Sequence, residues 1–152
     1  MILKSLWVLL ISMVPVIELR GGIPVGTINL GLSYPLTITL AVIGNLLPIP
    51  FLILYGRRVL EYFAKFGKFG IPFRWILSLG EKKVAKMKAA LFFGIWLFVA
   101  IPLPGTGAWT GALIAITLKL KMKESLPAIT LGVLTAASIV TVLAYVFQIF
   151  LF

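Results

Sequence analysis

Apolar, uncharged stretches make up most of this chain, and the most restrictive of them is Ala89–Leu118. It has 30 residues, whereas one membrane crossing needs about 20 apolar residues and two crossings need about 40. Residues 101–107 in its middle have the sequence IPLPGTG, and such a run of proline and glycine interrupts a helix. The pattern therefore predicts a re-entrant hairpin, in which half-helix Ala89–Ile101 enters the membrane and a second half-helix, about Ala108–Leu118, returns to the same face.

The tip of this hairpin is a candidate functional site, because irregular backbone at membrane depth persists only when it is buried in protein or lines a wet cavity. The second half-helix begins there, and its free amide groups and positive dipole end favour an anionic group. Thr106 is a candidate N-cap for this half-helix, and Trp109 lies just beyond it. A single kinked spanning helix with an interfacial tail is the alternative for residues 89–118.

The first part of the chain follows a similar plan. Ile2–Ile17 is an apolar run, residues 18–24 (ELRGGIP) form a break rich in glycine and proline, and Pro24–Leu30 is a second short apolar piece. Pro24 suits the first position of the second half-helix, because the N–H that it lacks has no partner there in any case. Alternatively, Ile2–Ile17 crosses the membrane and the first repeat is imperfect.

Each hairpin is followed by a stretch long enough to span the membrane, first Leu36–Tyr55 and later about Ala128–Phe147. Pro48 predicts a kink in the first span, and Asn45, one turn earlier, is placed to bind the backbone groups that the kink frees.

The predicted fold class is an all-α integral membrane protein with a single transmembrane domain, residues 1–152, built from two inverted repeats. Each repeat, about residues 2–56 and about residues 89–147, is a re-entrant helical hairpin plus a transmembrane helix. A hairpin followed by one span reverses the side of the membrane, so the second copy is inverted relative to the first. Inverted repeats with broken helices are typical of transporters, whose site lies midway between the repeats.

Composition and charge support a membrane protein, since 61% of the residues are hydrophobic and 12% are charged, against about a quarter in a soluble domain. Twelve of the 14 basic residues lie in residues 57–88 and 119–123. The hairpins bring these segments to one face, and the positive-inside rule assigns that face to the cytoplasmic side of the cell (plasma) membrane. Residues 57–88 interleave basic and aromatic side chains, which predicts an amphipathic linker in the membrane interface. The net charge of +10 therefore needs no nucleic-acid partner.

The residue types that the chain lacks narrow its chemistry. It has no cysteine, no histidine and no aspartate, which removes disulfides, Cys/His metal sites and histidine-based catalysis. It also has no nucleotide-binding loop. We therefore expect no metal, no cofactor and no enzymatic activity.

Glu18 and Arg20 are the only charges that lie within apolar sequence. Ionisable groups at membrane depth are costly and face a cavity or a partner. Three interpretations remain open: a structural ion pair at the hairpin tip, two unimportant interfacial charges, or a binding and coupling site. In the last, Glu18 carries a proton and Arg20 holds a substrate anion, because a guanidinium stays charged and pairs with phosphate in a fork.

Residues 15–24 (PVIELRGGIP) and 102–111 (PLPGTGAWTG) resemble the two signature motifs of the small multidrug export family, which is grouped with the DedA superfamily of membrane transporters. The resemblance covers nearly the whole chain. It implies two re-entrant hairpins, a membrane-embedded acidic residue at Glu18 and proton-linked transport, and DedA relatives are associated with translocation of polyprenyl phosphate carrier lipids. This chain departs from DedA proteins in lacking an aspartate companion to Glu18 and a clear arginine pair on the second hairpin.

The first functional hypothesis is a proton-coupled transporter or flippase for an amphipathic molecule with an anionic head, such as a lipid phosphate. The alternatives are a small multidrug exporter of lipophilic cations and a non-transporting membrane scaffold. Expected partners are membrane lipids, protons, the substrate and a second copy of the chain, because one copy has few helices to enclose a cavity. The candidate substrate-binding and coupling residues are Glu18, Arg20, Gly21, Gly22, Pro24, Pro102, Pro104, Gly105, Thr106, Gly107 and Trp109.

Overall fold

The computed structural model describes residues 1–67, 70–72, 74, 88–103 and 105–151, and every regular element within these residues is helical. The helices are α1 (Ile2–Met13), α2 (Glu18–Pro24), α3 (Tyr34–Leu46), α4 (Ile49–Ala64), α5 (Lys88–Ala100), α6 (Ala108–Thr117) and α7 (Met122–Leu151). One π-helical turn, Val25–Asn29, continues α2.

Among the described residues, two helical units are long and apolar enough to cross a membrane, namely Tyr34–Ala64, which contains α3 and α4, and most of α7. The apolar helices α1, α5 and α6 have 12, 13 and 10 residues. At 1.5 Å per residue they are about 15–20 Å long, roughly half of the 30 Å hydrocarbon thickness of a bilayer. The structure therefore contains helices long enough to cross a bilayer and helices that reach about half of its thickness.

The first hairpin consists of α1 and the α2–π segment. Its two helices are joined by residues 14–17, and its open end is closed by a hydrogen bond of 2.8 Å from Lys4 Nζ to the Leu30 carbonyl. Ile2–Ile17 is therefore not one spanning helix in this structure, since α1 ends at Met13 and the chain returns beside it.

The structure has two distinct ends. At the end that we call the basic end, a Cβ added to Gly56 of α4 would lie 2.6 Å from Ile116 near the end of α6, and α7 begins a few residues later. At the opposite end, the Tyr34 hydroxyl binds Gln148 Oε1 at 2.8 Å, close to the open end of the first hairpin. The basic residues with described side chains at the basic end are Arg57, Arg58, Lys65, Arg74, Lys119, Lys121 and Lys123.

Small residues let the first helix of each hairpin pack closely between its neighbours. Ser12 of α1 lies against Gly22 of α2 and Gly44 of α3, whereas Val99 of α5 lies against Gly111 of α6 and Gly132 of α7. A Cβ at Gly132 would approach the Val99 Cβ to 2.6 Å, so the glycine is needed for this contact. The same arrangement occurs in both halves of the chain, and small residues at such crossings are typical of membrane helix packing.

The first hairpin differs from the prediction in the position of its break. Residues 18–24 were expected to be irregular, but they form α2, and the turn lies earlier, at residues 14–17. Leu19 and Ile23 are buried and Gly22 packs against α1, so tertiary contacts outweigh the low helix propensity of the two glycines. Pro24 is the last residue of α2 rather than the first of a half-helix, and a π-helical turn follows it.

The second hairpin agrees closely with its prediction, since the expected half-helices 89–101 and 108–118 correspond to α5 and α6. The expected N-cap was wrong, because Gly107 occupies that position and makes no side-chain cap. The last helix begins at Met122, earlier than predicted, where Glu124 Oε2 accepts a hydrogen bond of 3.3 Å from the Lys121 amide and stabilises the first turn.

The predicted linker, residues 57–88, is only partly described. Helix α4 continues past residue 56 to Ala64 without a break, and Arg57 forms an exposed salt bridge of 2.7 Å with Glu61. Exposed aromatic rings of Tyr62 and Phe66 pack edge to face beyond it. The remaining part of the prediction, residues 68–69, 73 and 75–87, lies outside the described residues.

Candidate functional site

The two hairpin tips meet near the middle of the long helices. Glu18, at the tip of the first hairpin, and Ala108, just after the tip of the second, line one narrow pocket. The same pocket is lined by Asn45, just before the turn between α3 and α4, and by Val133 and Ala136 near the centre of α7. The tips therefore lie about halfway between the two ends of the structure.

Glu18 binds the N-terminus of α6. Its side chain is 3% exposed, and its Oε1 atom accepts a hydrogen bond of 3.2 Å from the Trp109 backbone amide. The first amides of a helix lack partners within the helix and carry its positive dipole end, so a carboxylate placed there is stabilised. The sequence predicted an anionic group at this helix terminus, and in the structure the protein's own glutamate occupies it.

Arg20 binds the other side of the same tip, where α5 ends. Its guanidinium donates through Nη1 to the Leu103 carbonyl and through Nη2 to the Ile101 carbonyl at 3.1 Å. Nη2 also lies 2.9 Å from Thr106 Oγ1, which accepts from it. Carbonyls at a helix C-terminus are unpaired and carry the negative dipole end, so a cation there is favourable.

The Glu18 carboxylate and the Arg20 guanidinium are not within the salt-bridge distance that the structural-pair interpretation expected, although they attract each other electrostatically. The salt bridge found among the described residues is the surface pair Arg57–Glu61. Each charge of the first hairpin instead binds one helix terminus of the second hairpin, the carboxylate at the start of α6 and the guanidinium at the end of α5.

Thr106 belongs to this contact and not to a helix cap. Its hydroxyl lies 2.6 Å from the Ile101 carbonyl and 2.8 Å from the Leu103 carbonyl and donates to one of them. The oxygen also accepts from Arg20, so the threonine joins the guanidinium to the carbonyls of the turn.

The backbone at both tips is unusual. Val16 and Glu18 have positive φ angles of 78° and 51°, which L-residues other than glycine rarely adopt. Gly107 has a φ of 141°, and a Cβ at this position would collide with the Glu18 carboxylate. Strained backbone of this kind is concentrated at functional sites in proteins.

Two buried polar atoms at the tips, Nε of Arg20 and Nε1 of Trp109, have no hydrogen-bond partner among the described residues. Neither amide atom of Asn45 on α3 makes a hydrogen bond of normal geometry, although the amide lies close to the Glu18 carboxylate. Asn45 was expected to bind backbone groups at the Pro48 kink, and this expectation was wrong, because its amide faces the Glu18 pocket instead.

An open cleft of about 700 Å³ begins at Arg20 and runs along α7. Its lining is largely apolar, and polar groups occur only at Arg20 and Asn29. The residues that line it are Arg20, Pro24, Ile28, Asn29, Pro102, Val140, Leu143, Ala144 and Phe147.

The structure brings together five of the predicted site residues: Glu18, Arg20, Thr106, Gly107 and Trp109. Two more, Pro24 and Pro102, line the cleft, and Gly105 is exposed with a φ of 84° in the turn.

Three predicted residues have other positions. Gly21 and Gly22 face Ile17 and Ser12 of their own hairpin and serve its packing. Pro104 lies outside the described residues. The cleft-lining residues of α7 were not predicted, because a leucine or valine on a spanning helix carries no signal that separates a cleft from a lipid contact.

Within the described residues the fold is all-helical, with two helices long and apolar enough to span a membrane and a charged centre where two helical hairpins meet, which indicates a membrane protein. A family model described as "Putative small multi-drug export protein" matches residues 18–139, and the chain belongs to this family. No curated protein and no solved structure matches the chain.

Replacing Arg20 tests how much the tip contact contributes to stability. We expect Arg20→Ala to lower the free energy of unfolding by at least about 2 kcal/mol, because it leaves two carbonyls and a hydroxyl without their charged donor. Arg20→Lys should recover only part of the loss, since an ammonium cannot reproduce the fork of the guanidinium.

Thermal unfolding in detergent measures these effects, with Arg57→Ala as the control. Arg57 takes part in an exposed salt bridge on α4, whose loss should cost about 0.5 kcal/mol or less. Equal effects of Arg20→Ala and Arg57→Ala would contradict the assignment of Arg20 to the tip contact.

Proposed function

We propose that this protein is a proton-coupled membrane transporter, similar to DedA proteins, for an amphipathic substrate with an anionic head group such as a lipid phosphate. In this proposal both hairpins are re-entrant and the two halves of the chain are inverted repeats. The basic end faces the cytoplasm, as the positive-inside rule requires.

The lengths of the helices support re-entrant hairpins. Helices of 10–13 residues reach about half of the membrane thickness, and both hairpin tips lie beside the centres of the long helices. The matching glycine contacts of Ser12 and Val99 support a repeated architecture. Residues 2–64 and 88–151 then run in opposite directions across the membrane.

The observation that carries the functional proposal is the apolar cleft of about 700 Å³ that ends at Arg20. An amphipathic molecule needs an apolar surface for its tail and a cation for its head group, and the cleft provides both. Arg20 is the cationic side chain among the described residues that line the cleft, so it can attract the phosphate of a head group.

Glu18 is the proton carrier in this proposal. It is buried at the tip contact, whereas the other described carboxyl groups, Glu61 and Glu124, lie towards the basic end. Protonation would remove the negative charge that holds the start of α6, and so would weaken the contact between the two hairpins. Substrate binding and proton binding thereby act on the same contact.

A specific observation also favours the export of lipophilic cations. Arg20 already donates to three oxygen atoms of the second hairpin, so its charge is partly satisfied and repels a cation near Glu18 less strongly. In that case Glu18→Gln should abolish cation transport while variants of the cleft leave it unchanged.

Cysteine labelling tests the re-entrant topology in a chain that has no cysteine of its own. We expect Lys65→Cys and Lys121→Cys to react with a membrane-impermeant maleimide from one side and Ser33→Cys from the other, since residues 65 and 121 belong to the basic end and residue 33 to the opposite end. Labelling of residues 65 and 121 from opposite sides would contradict the second re-entrant hairpin and the proposed inversion.

Filling the cleft tests the substrate class. Leu143 lines the cleft and is 57% exposed, so Leu143→Trp should occupy part of it without disturbing the core. We expect this variant to translocate a fluorescent monophosphate lipid in proteoliposomes at least about fivefold more slowly than the unmodified protein, because the apolar tail loses its surface.

Leu134→Trp is the matched control, since Leu134 is on the same helix, is 46% exposed and does not line the cleft. Equal rates for the two variants would contradict the assignment of the cleft. Transport of tetraphenylphosphonium, with no transport of the monophosphate lipid, would favour the cation exporter.

A further inference from the structure

We propose that Asn45 is a positioning residue for Glu18, which accommodates both the charged and the protonated form of this carboxyl group within the closed pocket. The inference rests on the proposed function, because it requires Glu18 to gain and lose a proton during transport. It assigns a role to a residue of α3 outside both hairpin tips.

The position of Asn45 brings its amide beside the Glu18 carboxylate. Asn45 is 1% exposed and lies one turn before Pro48, where α3 ends. Both residues line the same narrow pocket, which as it stands is too small to admit a water molecule. Within the described residues neither amide atom of Asn45 makes a hydrogen bond of normal geometry, but the amide is close enough to the Glu18 carboxylate to interact with it.

An amide at this position is costly for the fold. Burial removes its bonds to water, and the contact with Glu18 replaces only part of them. A leucine has a similar size and no such cost, so packing alone would favour the apolar side chain at this position. The amide faces the one carboxyl group among the described residues that line the pocket, which favours a role in the chemistry of Glu18.

The chemistry of the two groups defines that role. A carboxylate only accepts hydrogen bonds, whereas a protonated carboxyl group also donates one. An amide has both an NH₂ donor and a carbonyl acceptor, so a rotation of its side chain lets Asn45 donate to charged Glu18 or accept from protonated Glu18. Only Glu18 gains or loses the proton, and the amide stays neutral in both arrangements.

The other groups around Glu18 cannot make this adjustment. The Trp109 backbone amide of α6 can only donate, and Arg20 of α2 remains a cation. Val99 of α5 and Val133 and Ala136 of α7 contribute apolar surface to the pocket. Among the described side chains that line this pocket, Asn45 is therefore the one that can form a hydrogen bond with both the charged and the protonated carboxyl group.

Asn45→Leu tests the proposal, and Thr37→Val is the matched control. Thr37 is on the same helix, is fully buried and also has an unpartnered hydroxyl, but it faces Gly26 and lies outside the Glu18 pocket. We expect both variants to melt at or above the temperature of the unmodified protein. Only Asn45→Leu should slow proton-driven transport of a fluorescent monophosphate lipid, at least about tenfold, and change its pH profile.

A double-mutant comparison shows whether Asn45 acts through Glu18. In the Glu18→Gln background, where no proton can be carried, Asn45→Leu should cause no further loss of transport. An additional loss of similar size, or an unchanged pH profile in Asn45→Leu alone, would overturn the proposal. Loss of folded protein in both Asn45→Leu and Asn45→Ala would overturn it as well, because it would assign Asn45 to the fold.

Infrared spectroscopy provides a readout that does not depend on transport. The carbonyl stretch of protonated Glu18, identified by its absence in Glu18→Gln, should move in Asn45→Leu and stay in place in Thr37→Val. An unchanged band in Asn45→Leu would overturn the proposal. A shifted band together with an absence of any transport would contradict the proposed function and leave the contact between Asn45 and Glu18 established.

Discussion

The structure depends on the binding of one hairpin tip by two charges of the other. Interrupting a helix in an apolar environment leaves amides and carbonyls without partners, and in a membrane no water is present to bind them. Glu18 binds the amide end and Arg20 binds the carbonyl end of the same interruption. Because each charge is paired with a helix terminus of opposite sign, the buried charges and the broken helix stabilise each other.

The binding of the second hairpin by Glu18 and Arg20 also connects the fold to the proposed transport cycle. Glu18 is held at a φ of 51° and fills the space that Gly107 leaves open, so the two tips fit together only with these residues. A change in the charge of Glu18 would weaken one half of the contact, and an anion in the cleft would compete for the other half at Arg20. A small chain can thereby respond to two ligands at a single contact between its hairpins.

The sequence predicts some parts of this arrangement well and others poorly, for physical reasons. The bounds of the two helices in the second hairpin were predicted almost to the residue, because IPLPGTG breaks a helix in any environment. The position of the first turn was predicted wrongly, because two adjacent glycines have low helix propensity. In the structure Gly21 and Gly22 instead allow α2 to pack against its neighbours. Glu18 and Arg20 stand out as charges in apolar sequence and IPLPGTG marks a broken helix, but no pattern shows that these charges bind the backbone groups of Ile101, Leu103 and Trp109. Asn45 was noticed for its distance from Pro48, and only the folded structure places it beside Glu18.

The hydrogen bond from the Trp109 backbone amide to Glu18 provides the most direct test of whether the first hairpin binds the second. Selective ¹⁵N labelling of tryptophan, of which the chain has only four, allows the Trp109 amide to be followed by NMR in a lipid nanodisc. In Glu18→Gln, which keeps the shape and removes the charge, we expect the Trp109 amide proton to move upfield while those of Trp7 and Trp96 stay in place. A Trp109 signal that does not respond, or that moves no more than those of Trp7 and Trp96, would contradict the binding of the second hairpin by the first.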